Sequence, residues 1–224
     1  VPFEVRVLYR DARLVVVDKP HFLASVPSGR YLRETALVRL RRDLDLPTLS
    51  PLHRLDRETA GVMLFCVDPA CRGAYQALFQ ARQVDKVYEA VAPVVDGLTF
   101  PLVRRSRLRA CTGRFTMEEV EGAPNSETHI QLTARCAGGL GLYRLRPATG
   151  RKHQLRAHMS ALGMPILHDT LYPETHRPAV ENYERPLQLL ARAIRFRDPF
   201  SGRVRCFQSE RWLDADASRQ GDGC

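Results

Sequence analysis

Three short segments of this chain hold side chains whose types and spacing could do chemistry. Leu52-His53-Arg54-Leu55-Asp56-Arg57 sets one carboxylate between two arginines, just ahead of the apolar run Gly61 to Val67. Neighbouring guanidinium groups favour the ionised carboxylate. Such an Asp is a poor proton donor but a competent nucleophile or electrostatic stabiliser. The alternative is a turn Asp bonded to backbone, with its arginines facing solvent. The second segment, Ala148 to His158, reads A-T-G-R-K-H-Q-L-R-A-H. With Thr149-Gly150 opening a helix, the first turn carries two cations and an imidazole, where Asp or Glu would be the stabilising choice. Free N–H groups at a helix start bind anions, so the segment resembles a phosphate-binding cap; the alternative is a solvated basic helix. Arg151 and Arg156 are five apart and point to different faces, so one can meet phosphate while the other turns inward. In the third, Asp85 to Ala90, strand alternation puts Lys86 and Tyr88 on one face. Tyr88 either stacks on a base and offers its hydroxyl for proton transfer, or is a half-buried strand residue.

The elements that must position these residues can be read from the apolar pattern. Residues 5–19 read as two short strands around a turn at Asp11-Ala12, and Glu34 to Leu44 as an amphipathic helix. GVMLFCV is a strand, residues 70–82 a helix with Tyr75, Leu78 and Phe79 on one face, and DKVYEAVAPVV a strand again. Residues 98–147 hold several strands between turn signals, and Arg151 to Leu162 is a helix stopped by Gly163. LQLLARAIRF and RVRCF close the chain as a strand pair. Strands dominate without regular strand–helix alternation, which argues for an α+β fold with a mixed, mostly antiparallel sheet. Residues 1–213 form the folded domain, and 214–224 read as a polar, disordered tail.

Composition narrows the function classes. The chain has 224 residues and a formal net charge of +9, with 44% hydrophobic and 26% charged residues, as in globular proteins. Its basic side chains number 34, of which Lys19, Lys86 and Lys152 are the only lysines. Arginine's planar fork suits phosphate oxygens and stacks on bases, so the excess favours a nucleic-acid partner, although Arg-rich codon usage would produce the same ratio. No apolar run approaches the roughly 20 residues of a membrane helix, and no secretion signal opens the chain. The six cysteines form no C-x-x-C pair and read as reduced structural thiols. His153 and His158 are five apart and miss the i, i+4 spacing of a metal pair. Phosphate-loop, dinucleotide-binding, zincin, zinc-deaminase and serine-elbow motifs are missing, so ATP, NAD and activated-serine chemistry are unsupported.

Taken together, the segments resemble the RluA family of RNA pseudouridine synthases over nearly the full length. VLYRDARLVVVDKP matches the family's opening strand pair, HRLDRETAGVMLF its catalytic segment, and DKVYEAVA its K-x-Y segment. ATGRKHQLRAHMSALGMPILHD matches the T-G-R-x-H-Q-[IL]-R-x-H motif, and LLARAIRFRDPFSG the closing strand. The HRLD and TGRKHQLR segments, about 95 residues apart and in the right order, make the signal specific. Departures are Ala60 for the usual Ser, Ala191 for a common His, and a loop SVPSGR unlike the family's usual one. No S4-type segment stands at the N-terminus. RNA capture is then expected to rest on the catalytic domain, unless an extension preceding Val1 has been lost.

The resemblance implies the pseudouridine synthase fold, a central mixed, mostly antiparallel sheet in two halves with a catalytic cleft. It implies isomerisation of uridine within rRNA or tRNA without metal, nucleotide or other cofactor, by a cytoplasmic monomer with no membrane partner. Asp56 would be the nucleophile and Arg156 its partner. Arg54 would fill the space left by the flipped-out base, and Tyr88 would stack on the uracil and assist loss of its C5 proton. Leu189 or Leu190 would form the other pocket wall. Arg151, Lys152, His153 and the run holding Arg104, Arg105 and Arg107 would contact RNA. Two other readings are a catalytically silent RNA-binding or ribosome-assembly protein on this fold, and a metal-dependent phosphoesterase using His53, His153, His158 and Asp169.

Overall fold

Two apolar runs that lack alternation, LVVVDK and AGVMLFC, become strands buried on both faces. In this computed structural model residues 2–29, 31–175 and 182–214 are described. Along the chain lie β1 (Arg6–Arg10), β2 (Leu14–Lys19), α1 (Ala36–Asp43), β3 (Ser50–Pro51), β4 (Ala60–Cys66) and α2 (Arg72–Gln80). β5 (Val84–Pro93), β6 (Leu102–Ala110), β7 (Met117–Val120), β8 (Ser126–Arg135) and β9 (Leu140–Pro147) follow, then α3 (Gln154–Ala161), β10 (Leu189–Arg197) and β11 (Val204–Gln208). The class is α+β, as expected. The chain divides into two compact units, Val1–Lys86 with Ala191–Arg211, and Val87–Leu190 with Trp212–Cys224. Of the expected tail only Asp214 falls within the described residues.

In the first unit β1, β2 and β4 pair antiparallel, β10 follows β4, and β11 pairs antiparallel with β10. Leu14, Val16, Val62, Leu64 and Cys66 turn one face of β2 and β4 into a core with Ile194 and Phe196. The apolar stripe of α2 packs on that core through Tyr75, Leu78 and Phe79. Tyr75 also donates its buried hydroxyl to Asp198 at 3.0 Å, pinning the helix to the end of β10. Gly61 follows the chemistry-bearing loop and has φ +113, with a Cβ there falling 2.3 Å from the Ala191 carbonyl oxygen. Both the backbone conformation and the close approach require glycine. Gly61→Ala is therefore expected to destabilise the fold by more than the about 1–3 kcal/mol of left-handed strain alone. A melt of the purified variant checks it.

The second unit orders its strands β5-β9-β8-β6-β7, each neighbouring pair antiparallel. Leu155 and Met159, one turn apart on α3, bury against Ala90, Ile130, Tyr143 and Leu145. The helix expected from Arg151 begins instead at Gln154, with His153 as a left-handed N-cap at φ 51. Residues 151–153 are a turn, and the first turn of the helix itself is buried from Gln154 to Ala157. The helix start expected at Arg151 is thereby corrected by three residues, to Gln154. No helix among the described residues is long and apolar enough to cross a membrane.

Candidate active site

In the first unit, the backbone on both sides of Asp56 is held by buried side chains. Ser25 Oγ donates to the Leu55 carbonyl at 2.7 Å and accepts the Leu55 N–H at 3.1 Å. A hydroxyl can do both, having one proton and two lone pairs. Lys19 is fully buried at the end of β2 and donates from Nζ to the carbonyls of Pro20, Leu23 and Arg57, at 2.9, 2.8 and 3.2 Å. The Thr59 N–H closes a turn onto the Asp56 carbonyl at 3.2 Å. Asp56 itself is half-buried, and Arg54 of the same loop is exposed. Burial pushes the Lys19 amine down to about 7, against the opposing pull of Glu58 and Asp56.

His53 is a spacer rather than a base. Its Nε2 accepts the Leu64 N–H at 3.2 Å and its ring stacks on Phe79 at 5.2 Å. Burial, aided by the Lys86 charge, takes its pKa down to about 3, so the ring is neutral at physiological pH. Arg57 pairs with Glu58 at 3.3 Å and lies over the Tyr31 ring at 4.8 Å.

In the second unit, α3 carries Arg156 inward. Its Nε and Nη2 donate to Asp169 Oδ2 and Oδ1 at 2.8 and 2.6 Å, a two-pronged ion pair with side chains 1% and 0% exposed. Asp169 Oδ1 also accepts the N–H groups of Leu171 and Tyr172 at 2.8 and 3.1 Å. Asp169, expected from its residue type only as a possible metal ligand, is instead the holder of Arg156. Its place in the segment that follows the TGRKHQLR motif was the available signal.

Gln154 supplies what the cap does not. Its Oε1 accepts the Thr149 hydroxyl at 2.6 Å and the Arg151 N–H at 3.1 Å. Its Nε2 donates to the Glu127 carbonyl and to Thr128 Oγ1, both at 2.9 Å. Arg151 is exposed, with Nε on the Asn125 carbonyl at 3.2 Å. His153 is buried, its Nδ1 3.2 Å from the Tyr172 hydroxyl, so it serves the turn. Lys152 Nζ donates to the Phe115 carbonyl at 2.7 Å.

Tyr88 on β5 is half-buried and packs against the cluster that contains Leu189. Leu189 and Leu190 are both buried. On β6, Arg104 pairs with Glu119, Arg105 with Glu127 at 2.8 Å and Arg109 with Glu118 at 2.9 Å. Arg107 is exposed, its side chain lying against Gly122. Three of the four arginines in this run thus carry glutamate partners, which lowers the net field they offer a phosphate.

The phosphoesterase reading loses its ligands to other work. His158 is fully buried, with Nε2 at 3.0 and 2.9 Å from the Ser106 and Ser126 hydroxyls and Nδ1 at 2.9 Å from Thr128 Oγ1. Asp169 is committed to Arg156, and the described residues contain no group of three or more His, Cys, Asp or Glu placed to hold a metal. Burial lowers His158 from 6.5 to about 4. A depressed folded-state pKa means the unfolded chain binds the proton first. Stability is thus full above pH 6.5 and is lost as pH falls through 6.5 toward 4, a window that lies above ordinary carboxylate titration. Melting temperature measured across that window should fall, and His53 adds to the drop toward its lower value.

A family model for RNA pseudouridylate synthases matches residues 13–161. The dual-specificity RNA pseudouridine synthase RluA of Yersinia pestis is 32% identical over 213 residues, covering 91% of this chain and 98% of that one. The chain belongs to the RluA family of RNA pseudouridine synthases. Pseudouridylate synthase RPUSD2 of Homo sapiens is similar at 33% over 178 residues, covering 75% of the synthase and 31% of the human protein. Among solved structures, human RNA pseudouridylate synthase domain containing 4 superposes with a TM-score of 0.69 at 26% identity, covering 92% of the synthase and 88% of that chain. Human RNA pseudouridylate synthase domain containing 1 shares the fold, with a TM-score of 0.73 at 23% identity and coverage of 97% and 94%. The synthase is therefore an isomerase acting on RNA. Both the loop that holds Asp56 and the turn that leads to Arg156 lie inside the matched region, whereas Leu189 and Leu190 lie beyond it.

Proposed function

We propose that the synthase converts particular uridines of rRNA or tRNA to pseudouridine, with Asp56 as nucleophile. The observation that supports this reading is the clamp on both neighbours of Asp56, by Ser25 on Leu55 and by Lys19 on Arg57. A nucleophile held on a fixed backbone gains its rate from orientation. Asp56 attacks the uridine, at uracil C6 or at ribose C1′, and the N1–C1′ bond breaks. The uracil turns and rejoins through C5, and the bond to Asp56 breaks to restore the carboxylate; the C5 proton leaves and N1 ends protonated, so no oxidant or energy source is consumed. Arg156 pairs with the Asp56 carboxylate, Tyr88 stacks on the uracil and assists removal of the C5 proton, and Leu189 or Leu190 walls the pocket. Arg54 occupies the space vacated by the extruded base. Arg151, Lys152 and Arg107 lie among the RNA contacts, with Arg104 and Arg105 contributing as their glutamates release them.

Both RNA classes are proposed because the relatives in Yersinia pestis and Escherichia coli are named dual-specificity synthases. The synthase is proposed to act as a monomer in the cytoplasm. Mapping pseudouridines in rRNA and tRNA from a strain lacking the gene tests the substrate. Loss of one or a few modified positions is expected, restored by the intact gene; an unchanged map in both RNA classes overturns it.

A further inference from the structure

The turn joining β6 to β7 offers an aromatic ring where a soluble surface would ordinarily be polar. Phe115 is 58% exposed. The turn that presents it is closed by the Cys111 N–H on the Thr116 carbonyl at 3.1 Å and the Arg114 N–H on the Cys111 carbonyl at 3.3 Å. Gly113 supplies the left-handed residue at φ 71. Lys152 braces the ring from the motif turn, with Nζ 3.4 Å from the ring centroid as well as bonded to the Phe115 carbonyl. His153 meets the ring edge-on at 5.2 Å. Exposed cations flank the pair in sequence, Arg114 on the hairpin and Arg151 beside Lys152. The nearby carboxylates Glu118 and Glu119 are engaged by Arg109 and Arg104.

A braced, exposed aromatic ring among cations is the chemistry that receives an unpaired nucleobase and its phosphate. We propose that Phe115 is a stacking platform for an unpaired base of the substrate RNA, with Lys152 and Arg114 meeting that nucleotide's phosphate. This rests on the synthase acting on RNA and adds to it a contact with a base other than the reacting one. An exposed aromatic held only for packing would be replaceable by leucine, whereas stacking is not.

The test uses the full chain and a single-stranded RNA oligonucleotide around a mapped target uridine. Phe115→Leu should raise KM and the dissociation constant by at least about fivefold, the lower end of one lost stack, with kcat at saturating RNA within twofold. Phe115→Trp should bind as well as the parent or better, and both variants should melt with the parent. Equal RNA affinity for Phe115→Leu and the parent overturns the platform, as does a Phe115→Trp variant that binds as weakly as Phe115→Leu. If the parent itself is inactive on every RNA tried, the broader reading fails instead, and the two failures are distinct.

Discussion

Asp56→Asn lowers turnover by about 10⁴-fold or more while leaving RNA affinity within a few fold of the parent. The amide has the shape of the carboxylate and lacks its charge and nucleophilicity, so the variant removes the attacking atom and little else. At ordinary temperature that loss corresponds to about 5 kcal/mol or more of transition-state stabilisation. Folding should change little, because Asn keeps the shape of Asp and the loop backbone is held by Ser25 on Leu55 and by Lys19 on Arg57. Steady-state kinetics, an RNA titration and a melt separate the three quantities. A variant that melts early would show the carboxylate to be structural.

Asp169→Asn should have the second large effect, on stability as well as activity. Arg156 is 1% exposed, and its bidentate partner is the Asp169 carboxylate. Removing one charge of a buried, two-pronged pair costs about 3–5 kcal/mol. For a chain of this size that corresponds to a fall in melting temperature of roughly 10 °C. Adding Arg156→Leu to Asp169→Asn removes the remaining charge of the pair, while the amide oxygen can still accept the Leu171 and Tyr172 N–H groups, and should recover much of that stability. The double variant should still be inactive, because the guanidinium proposed to serve Asp56 is gone. Recovery of activity alongside stability would show the pair to be scaffold only.

What could be read from residue types was the set of functional segments and the class of fold. Unbroken apolar runs announced β2 and β4, and the apolar spacing of Tyr75, Leu78 and Phe79 announced α2. The start of α3 was misplaced because Gly150 and three polar residues read as a helix entry. In the structure the Gln154 side chain takes up the Thr149 hydroxyl and the Arg151 N–H, and His153 bends left-handed. Such a cap from within the helix leaves no local spacing rule to detect. Ser25 and Asp169 were illegible as site residues for a related reason. Each acts on a segment distant in sequence, Ser25 on Leu55 and Asp169 on Arg156, through contacts that only the fold creates. The arginine run on β6 was legible as charge, but its pairing with Glu118, Glu119 and Glu127 depended on strand register.

The attack proposed for Asp56 lets the uracil part from ribose C1′ at N1 and return to it through C5. Its most direct test is tritium release from RNA containing 5-tritiated uridine, under single-turnover conditions with enzyme in excess. The parent should release tritium to the level of the target uridines present. Asp56→Asn, bound to the same RNA at saturation, should release none above background. Release by that variant at a rate near the parent's would contradict the assignment of the nucleophile.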